Sequence, residues 1–150
     1  MDYQAQHVCI TYIACRLITG KSPVFLYDLQ NSREIEVADV LDIDFLRELD
    51  EKYRDYVPGF ASNCTCRYTA ETGSPLEIFI NKKTFVVHIS DSDAYFIGNL
   101  QNDTVYLYDH NKSTHFRYRI TAYIEDHKIG VTKLTSYDIK KIDTDYFNED

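Results

Sequence analysis

The sequence has no tryptophan, one methionine, and only five glycines and three prolines among its 150 residues. Because the glycines are scattered singly, a glycine-rich phosphate-binding loop is not expected, and no P-loop, GxGxxG, GxSxG or HExxH motif occurs. No apolar run approaches the ~20 residues needed to cross a bilayer, and the N-terminus lacks the pattern of a signal peptide. The sequence therefore predicts a cytoplasmic protein with no membrane segment, cofactor or metal, and it favours a non-enzymatic role.

Cysteine spacing gives no sign of a zinc site. Cys9 and Cys15 are six positions apart, and Cys64 and Cys66 form a C-x-C pair. Structural zinc normally uses pairs spaced two to four positions apart on tight turns. We interpret the four cysteines as reduced structural thiols, with disulfides or a metal site as the alternatives.

Negative charge is concentrated in one part of the chain. The net charge is −8, and the segment from Glu34 to Asp55 holds nine acidic residues and three basic ones. Nucleic acid and anionic membranes attract positive surfaces, so neither is predicted as the main partner. An acidic surface instead steers a basic protein towards it, and a basic protein is the predicted partner.

The acidic segment contains a predicted amphipathic helix, from about Ile43 to Tyr56. Asp42 can cap its first turn, and the Val57-Pro58-Gly59 sequence ends it. Its apolar residues recur every three or four positions and fall on one face, namely Phe45, Leu49, Tyr53 and Tyr56, with Leu46 beside them. Its solvent-facing side is predicted to carry Asp44, Glu48, Glu51 and Asp55.

Short β-type runs separated by Asn, Asp, Lys or Gly turns fill most of the remaining chain. They predict strands at 24–28, 33–37, 76–80, 84–89, 94–100, 104–109, 114–124 and 129–134. Residues 8–18 are rich in β-branched and aromatic types and are predicted as a strand, with a helix that ends at Gly20 as the alternative. No strand is predicted in the polar stretch 61–75, and a short C-terminal helix is predicted at Tyr137–Ile142.

These elements predict a single α+β domain that spans residues 1–150. Consecutive short strands joined by brief turns are typical of an antiparallel sheet. We therefore expect a curved antiparallel meander of about 7–9 strands, with the helix at 43–56 packed on one face.

Two segments of the sequence resemble each other. Val24 to Asp28 (VFLYD) and Val105 to Asp109 (VYLYD) are each followed by a serine four positions after the aspartate. Each segment is predicted to enter a four-residue turn and return as a hairpin, with Asp28 opposite Arg33 and Asp109 opposite Thr114. The register then turns four pairs towards the core: Leu26 with Ile35, Val24 with Val37, Leu107 with Phe116, and Val105 with Tyr118.

The outward residues of the two predicted hairpins differ in charge. In the first, Phe25 and Tyr27 face Glu36 and Glu34, which makes an acidic ladder. In the second, Tyr106 and Tyr108 face Arg117 and His115, and Arg119 continues this basic ladder. The basic ladder either contacts an anionic group or meets the acidic ladder, within one chain or across a dimer.

The composition and the ladders favour a non-enzymatic inhibitor of the immunity or antitoxin type, which neutralises a basic protein such as a nuclease toxin. The predicted partner-binding residues are Asp44, Glu48, Glu51 and Asp55 for charge, with Tyr27, Tyr106 and Tyr108 as anchors. One alternative is a protein or enzyme that binds a small molecule or nucleotide phosphate through His115, Arg117 and Arg119. Another is a structural subunit or homodimer.

Overall fold

The computed structural model describes residues 3–53, 64–69, 75–90, 92–124 and 140–141. In these ranges a long helix, α1 (Tyr3–Thr19), precedes one antiparallel sheet and two shorter helices, α2 (Val37–Val40) and α3 (Ile43–Tyr53). This architecture confirms the predicted α+β class and the antiparallel sheet.

The strands of the sheet follow a simple order. The order is β2-β1-β8-β7-β6-β5-β4-β3, and a two-residue strand, β9, also pairs with β8. Strands β3 to β8 form a meander, and β1 joins its last strand. The bounds are β1 (Ser22–Asp28), β2 (Arg33–Glu36), β3 (Cys64–Thr69), β4 (Pro75–Asn81), β5 (Thr84–Ile89), β6 (Ala94–Gln101), β7 (Thr104–Asp109), β8 (Thr114–Ile124) and β9 (Lys140–Lys141).

The strand predicted at 8–18 is wrong, because these residues belong to α1. Every residue from His7 to Leu17 is buried. A helix buried on all sides shows no amphipathic period, so only its β-branched and aromatic composition remained as a signal. The alternative of a helix that ends at Gly20 is confirmed: Gly20 has a φ of 79°, and its N–H donates to the carbonyl of Arg16 at 3.0 Å, as at a left-handed helix end.

The predicted acidic helix is confirmed as α3 through Tyr53, and residues 54–56 lie outside the described ranges. The Asp42 carboxylate accepts a hydrogen bond from the backbone N–H of Asp44 at 2.8 Å, which is the predicted cap. Phe45 and Leu46 are buried. The side chains of Leu49, Tyr53 and Tyr56 lie outside the described part of the chain.

Both predicted hairpin registers are confirmed. Asp28 pairs with Arg33 and Leu26 with Ile35, and the second hairpin has all of its predicted pairs from Asp109–Thr114 to Val105–Tyr118. The predicted pair Val24–Val37 is wrong, because α2 begins at Val37.

Three predictions concern the margins of the sheet. Cys64–Thr69 is a strand although none was predicted in the polar stretch, because its pairing with β4 overrides its local composition. Lys140–Lys141 pairs with β8, so the C-terminal helix predicted there is wrong at these two positions. The strand predicted at 129–134 lies outside the described residues.

The core lies between α1 and one face of the sheet. Helix α1 contacts β1, β4 and β7, and its apolar residues join those of every strand from β4 to β8 in one cluster. Among the described residues, this cluster lies on one face of the sheet, and the alternate residues of each strand point away from it.

Candidate functional site

The sheet face that points away from the core is here called the outer face. Four of its residues align in a straight line across β4, β5, β6 and β7, because the register pairs Phe79 with Val86, Val86 with Ile97, and Ile97 with Tyr108. We call Phe79, Val86, Ile97 and Tyr108 the apolar row. With strands ~4.8 Å apart, the row is about 14 Å long.

Three of the four residues of the apolar row are exposed, and Tyr108 is half-buried. Phe79, Val86 and Ile97 are exposed by 45%, 40% and 48%, and two further rings flank the row, Tyr95 and Tyr106, exposed by 44% and 37%. Single exposed apolar residues are ordinary, whereas a contiguous set marks an interaction surface. The sequence-based prediction included Tyr106 and Tyr108 but missed the other members. Their signal was present, because apolar residues break the polar pattern at an outward position of each strand, Phe79 on β4, Val86 on β5 and Ile97 on β6.

The predicted basic ladder lies beside the apolar row on β8. His115 and Arg117 are exposed and pair with Tyr108 and Tyr106. The ring of Tyr108 lies between two histidines, with centroids 4.6 Å from His115 and 4.7 Å from His110. These side chains form a cluster of aromatic and basic groups at one end of the row.

The two ladders meet within one chain. Strand β1 pairs with β8, so that Tyr27 faces Arg119, and the guanidinium carbon of Arg119 lies 5.5 Å from the centroid of the Tyr27 ring. This distance is within the range of a cation–π contact. Beyond Tyr27, Glu34 and Glu36 complete the outer face on β2. Tyr27 is therefore separated from Tyr106 and Tyr108 by β8.

Acidic side chains are exposed from β2 through α3. Within residues 33–51 the exposed bases are Arg33 and Arg47, and Arg47 lies 3.5 Å from Asp44. Of the predicted charge residues, Asp44, Glu48 and Glu51 are exposed, and Asp55 lies outside the described ranges. The exposed acids whose side chains are described are Glu34, Glu36, Asp39, Asp42, Asp44, Glu48 and Glu51.

A buried polar network on the other side of the sheet was not predicted. His7 of α1 is fully buried, with Nδ1 2.9 Å from the Tyr118 hydroxyl and Nε2 3.2 Å from Oδ2 of Asp109. The neutral Nε2–H tautomer satisfies both contacts: the imidazole donates to the carboxylate and accepts from the phenol. Burial lowers the pKa of His7 from 6.5, and the nearby Asp109 partly opposes that shift.

Asp109 also organises the turn after β7. Its Oδ1 accepts the backbone N–H groups of Asn111 at 3.0 Å and Lys112 at 3.1 Å. Because His7, Asp109 and Tyr118 are all buried, the network is suited to holding α1 on the sheet. No local sequence signal could have shown it, because His7 and Asp109 are about a hundred positions apart.

The two described thiols are suited to packing rather than chemistry. Cys9 and Cys15 are buried and free, and burial raises the pKa of Cys9 to about 12 and that of Cys15 to about 11. A thiol that is not ionised is a poor nucleophile and metal ligand. Cys64 and Cys66 lie on β3, opposite Ile80 and Ile78, and their side chains are outside the described set.

His88 lies on the outer face, as its alternation with Phe85 and Val87 predicts. Its ring stacks on Tyr95 with centroids 4.3 Å apart, and Nε2 lies 3.1 Å from Oδ1 of Asp93. Among the residues that the structure describes, no three His, Cys, Asp or Glu side chains converge as metal ligands would.

Comparison with known proteins gives no match to a protein family, to a curated protein or to a solved structure. Within the described ranges, each helix is too short or too polar to span a lipid bilayer.

Proposed function

We propose that this chain is a non-enzymatic, cytoplasmic inhibitor of the immunity or antitoxin type, which binds and neutralises a basic protein such as a nuclease toxin. The observation that carries the proposal is the series of exposed acids along the chain from Glu34 to Glu51, of which Glu34 and Glu36 lie on the outer face at β2. Among the described side chains of this segment, seven exposed acids stand against one exposed base, Arg47. Such a surface accelerates the approach of a basic partner and repels acidic competitors.

The edge of the outer face supplies apolar groups beside this charge. Phe25 and Tyr27 are half-buried on β1 and pair with Glu36 and Glu34. Aromatic rings fixed on a sheet lose little conformational freedom when they bind, and such anchors concentrate binding energy. We therefore assign Tyr27 as the anchor nearest the acidic surface, with Asp44, Glu48 and Glu51 as steering charges.

The buried chemistry also supports a binding role. The imidazole of His7 and the thiols of Cys9 and Cys15 are enclosed in the core, where they can pack but cannot meet a substrate. Reduced thiols of this kind are typical of the cytoplasm, which supports the proposed compartment.

The test starts from the tagged chain, recovered from its own cells at low salt with whatever protein it retains. The affinity of that purified protein is then measured for the Glu48→Gln/Glu51→Gln variant. Two steering charges at ~0.7 kcal/mol each correspond to about a tenfold loss of affinity at low salt. The loss should shrink as salt is raised.

A matched control removes the same charge elsewhere. Asp93 and Asp103 lie in the β5–β6 and β6–β7 connections, and Asn tolerates the positive φ of 50° at Asp93. The Asp93→Asn/Asp103→Asn variant should bind within about twofold of the native chain. Equal losses in the two variants, or none in either, would refute the steering role.

A second candidate function is favoured by the cluster of Tyr106, Tyr108, His115 and Arg117. An exposed guanidinium beside tyrosine rings suits a nucleotide or sugar phosphate, with the ring for stacking and Arg117 for the phosphate. Arg119 is the predicted third base, but it lies over Tyr27. A thermal shift with ATP or glucose 6-phosphate that disappears in Arg117→Gln would support this candidate, and no shift with either compound would exclude these probes as ligands.

A further inference from the structure

We propose that the apolar row is the contact surface of a homodimer, in which two copies of the chain pack outer face against outer face. This surface is distinct from the acidic surface of the proposed function. It rests on the pattern of the strands, the order of side chains in the row, and the placement of charge around it.

Strands β4, β5 and β6 carry apolar side chains at some of their outward positions. Phe79, Val86, Tyr95 and Ile97 point outward there, among polar residues such as Glu77, Thr84, His88, Asn99 and Gln101. A sheet with one solvated face normally alternates apolar inward and polar outward residues, so these four residues depart from that pattern. Helix α1 and the core cover the inner face, and within the described ranges these four outward side chains are exposed.

The order of residues in the row is symmetric. From β4 to β7 it reads aromatic, aliphatic, aliphatic, aromatic: Phe79, Val86, Ile97, Tyr108. A two-fold axis parallel to the strands, between β5 and β6, would place Phe79 over Tyr108 of the second copy and Val86 over Ile97. Each large ring then meets a large ring, and the two aliphatic residues meet at the centre of two sheets packed ~10 Å apart.

The same axis brings compatible polar groups together. A second row of outward residues lies beside the apolar row, two positions away along each strand. In this row Glu77 on β4 pairs with His88 on β5, and His88 pairs with Tyr95 on β6. His110, next to Tyr95, completes the row, because its N–H donates to the Tyr95 carbonyl. The axis sets Glu77 over His110 of the second copy and His88 over Tyr95. No two acids are opposed in this row, and the pairing satisfies the self-complementarity that a two-fold interface requires.

The acidic surface stays open in this dimer. An axis between β5 and β6 sets β5 over β6 of the second copy, β4 over β7 and β3 over β8. Strands β1 and β2 of each copy therefore extend past the overlap, at opposite ends of the dimer. Glu34 and Glu36 on β2 therefore lie away from the contact. The dimer would present two acidic surfaces at opposite ends, so both copies could bind a basic protein.

Salt separates this proposal from the proposed function. Each copy carries a net charge of −8, and repulsion between two such chains is screened as the Debye length falls from ~10 Å at 0.1 M salt to ~3 Å at 1 M. Dimer formation should therefore strengthen as salt is raised, whereas binding of a basic partner should weaken.

The first test is sedimentation equilibrium of the full chain from ~1 to ~200 µM at low and high salt. We expect a concentration-dependent dimer that is more populated at high salt. A chain that stays monomeric at the highest concentration and salt overturns the proposal, and it leaves the inhibitor function untouched.

Two variants locate the contact. Ile97→Asp buries a charge at the centre of the dimer, and it should raise the dissociation constant by about 100-fold or more. Gln101→Asp adds the same charge on the same face of β6, four positions away and at the rim, and it should change the constant by less than about threefold. Both positions are exposed, so neither variant disturbs the core. Equal effects of the two variants overturn the assignment.

Crosslinking tests the symmetry. When Phe79→Cys and Tyr108→Cys chains are mixed with a bis-maleimide reagent whose spacer spans ~8 Å, they should form a covalently linked heterodimer, because the two positions face each other across sheets ~10 Å apart. Phe79→Cys alone should not crosslink, because the axis sets its two copies about three strand spacings, ~14 Å, apart along the sheet as well as on opposite sheets. The native chain is treated in parallel as the control for its own cysteines. Efficient crosslinking of Phe79→Cys alone, or none in the mixture, overturns the proposed pairing.

Discussion

Arg119 on β8 lies over the ring of Tyr27 on β1, with 5.5 Å between the guanidinium carbon and the ring centroid. Tyr27 is in turn paired with Glu34 on β2, so a base, a ring and an acid follow one another across three neighbouring strands. The contact joins the acidic ladder to the basic ladder inside the chain. It leaves Arg117 and His115 as the exposed bases of the ladder beside the tyrosines of β7.

Removing His7 should lower stability and flatten its dependence on pH. The pKa of His7 is below 6.5 in the folded chain, so between that lowered value and 6.5 the unfolded chain binds more protons. Stability should therefore fall as the pH falls through this window. His7→Leu should lose this slope, and it should lose about 3 kcal/mol at neutral pH because Asp109 and Tyr118 lose a buried partner.

Urea unfolding at several pH values measures both effects. His110→Gln is the control, because His110 is exposed and should cost less than about 0.5 kcal/mol. A native slope that survives in His7→Leu would show that another group is responsible for it.

Asp28 and Asp109, which occupy equivalent positions in the two turns, should contribute differently to stability. Asp28 and Asp109 each accept two backbone N–H groups of their turn, but only Asp109 also binds His7. Asp28→Ala should cost about 1–2 kcal/mol, and Asp109→Ala about 2 kcal/mol more, because it leaves the buried His7 N–H without an acceptor.

In a His7→Leu background the difference between the two aspartates should nearly vanish. A double-mutant cycle from chemical denaturation tests this. Additive losses in the double variant would mean that the His7–Asp109 contact adds nothing to stability.

Gly98 has no room for a side chain. A Cβ atom there would lie 2.4 Å from Cζ of Phe85 and 2.7 Å from the carbonyl oxygen of Tyr106. Gly98→Ala should cost about 2–3 kcal/mol, since the backbone of β7 cannot move away without losing its pairing. Adding Phe85→Leu should restore only part of the loss, because it relieves the contact with the ring and not that with the carbonyl. Full recovery in this double variant would show that the ring alone sets the limit.

The thiols of Cys9 and Cys15 should resist alkylation in the folded chain. With pKa values raised to about 12 and about 11 and with no exposure, neither should react with iodoacetamide at pH ~8, whereas both should react in urea. Peptide mapping by mass spectrometry distinguishes them from Cys64 and Cys66. Rapid labelling of Cys9 without denaturant would mean that α1 opens readily.

The parts of the fold that depend on local patterns could be predicted from the sequence. The hairpin registers follow from an aspartate at the turn and from alternation over four residues, and α3 follows from the Asp42 cap and a three-to-four-residue period. For α1 the composition favoured a strand and left the helix as the alternative, because burial on every side removes the period. The pairing of β1 with β8 and the contact of His7 with Asp109 join distant positions that share no local signal.

Part of the candidate site could also be predicted from local patterns in the sequence. The acids of α3 were predicted on the solvent side, where Asp44, Glu48 and Glu51 lie. The apolar row could not be predicted, because the alignment of Phe79, Val86 and Ile97 depends on the register of all four strands. Residue types alone show only that these strands are apolar, and the alignment across strands makes them a surface.

Strand β1 pairs with β8 along a register that begins with Ser22 opposite Ile124, and this has a consequence for synthesis on the ribosome. The meander from β3 to β7 can form as each strand emerges, because its contacts are local. Strand β1 can pair with β2, and α1 can pack on β4 and β7, before β8 is made. The other edge of β1 must wait for a strand about a hundred residues later, and closing so long a loop is slow. A nascent chain stopped before β8 should therefore expose an unpaired edge of β1, and it should depend on chaperones until β8 is made.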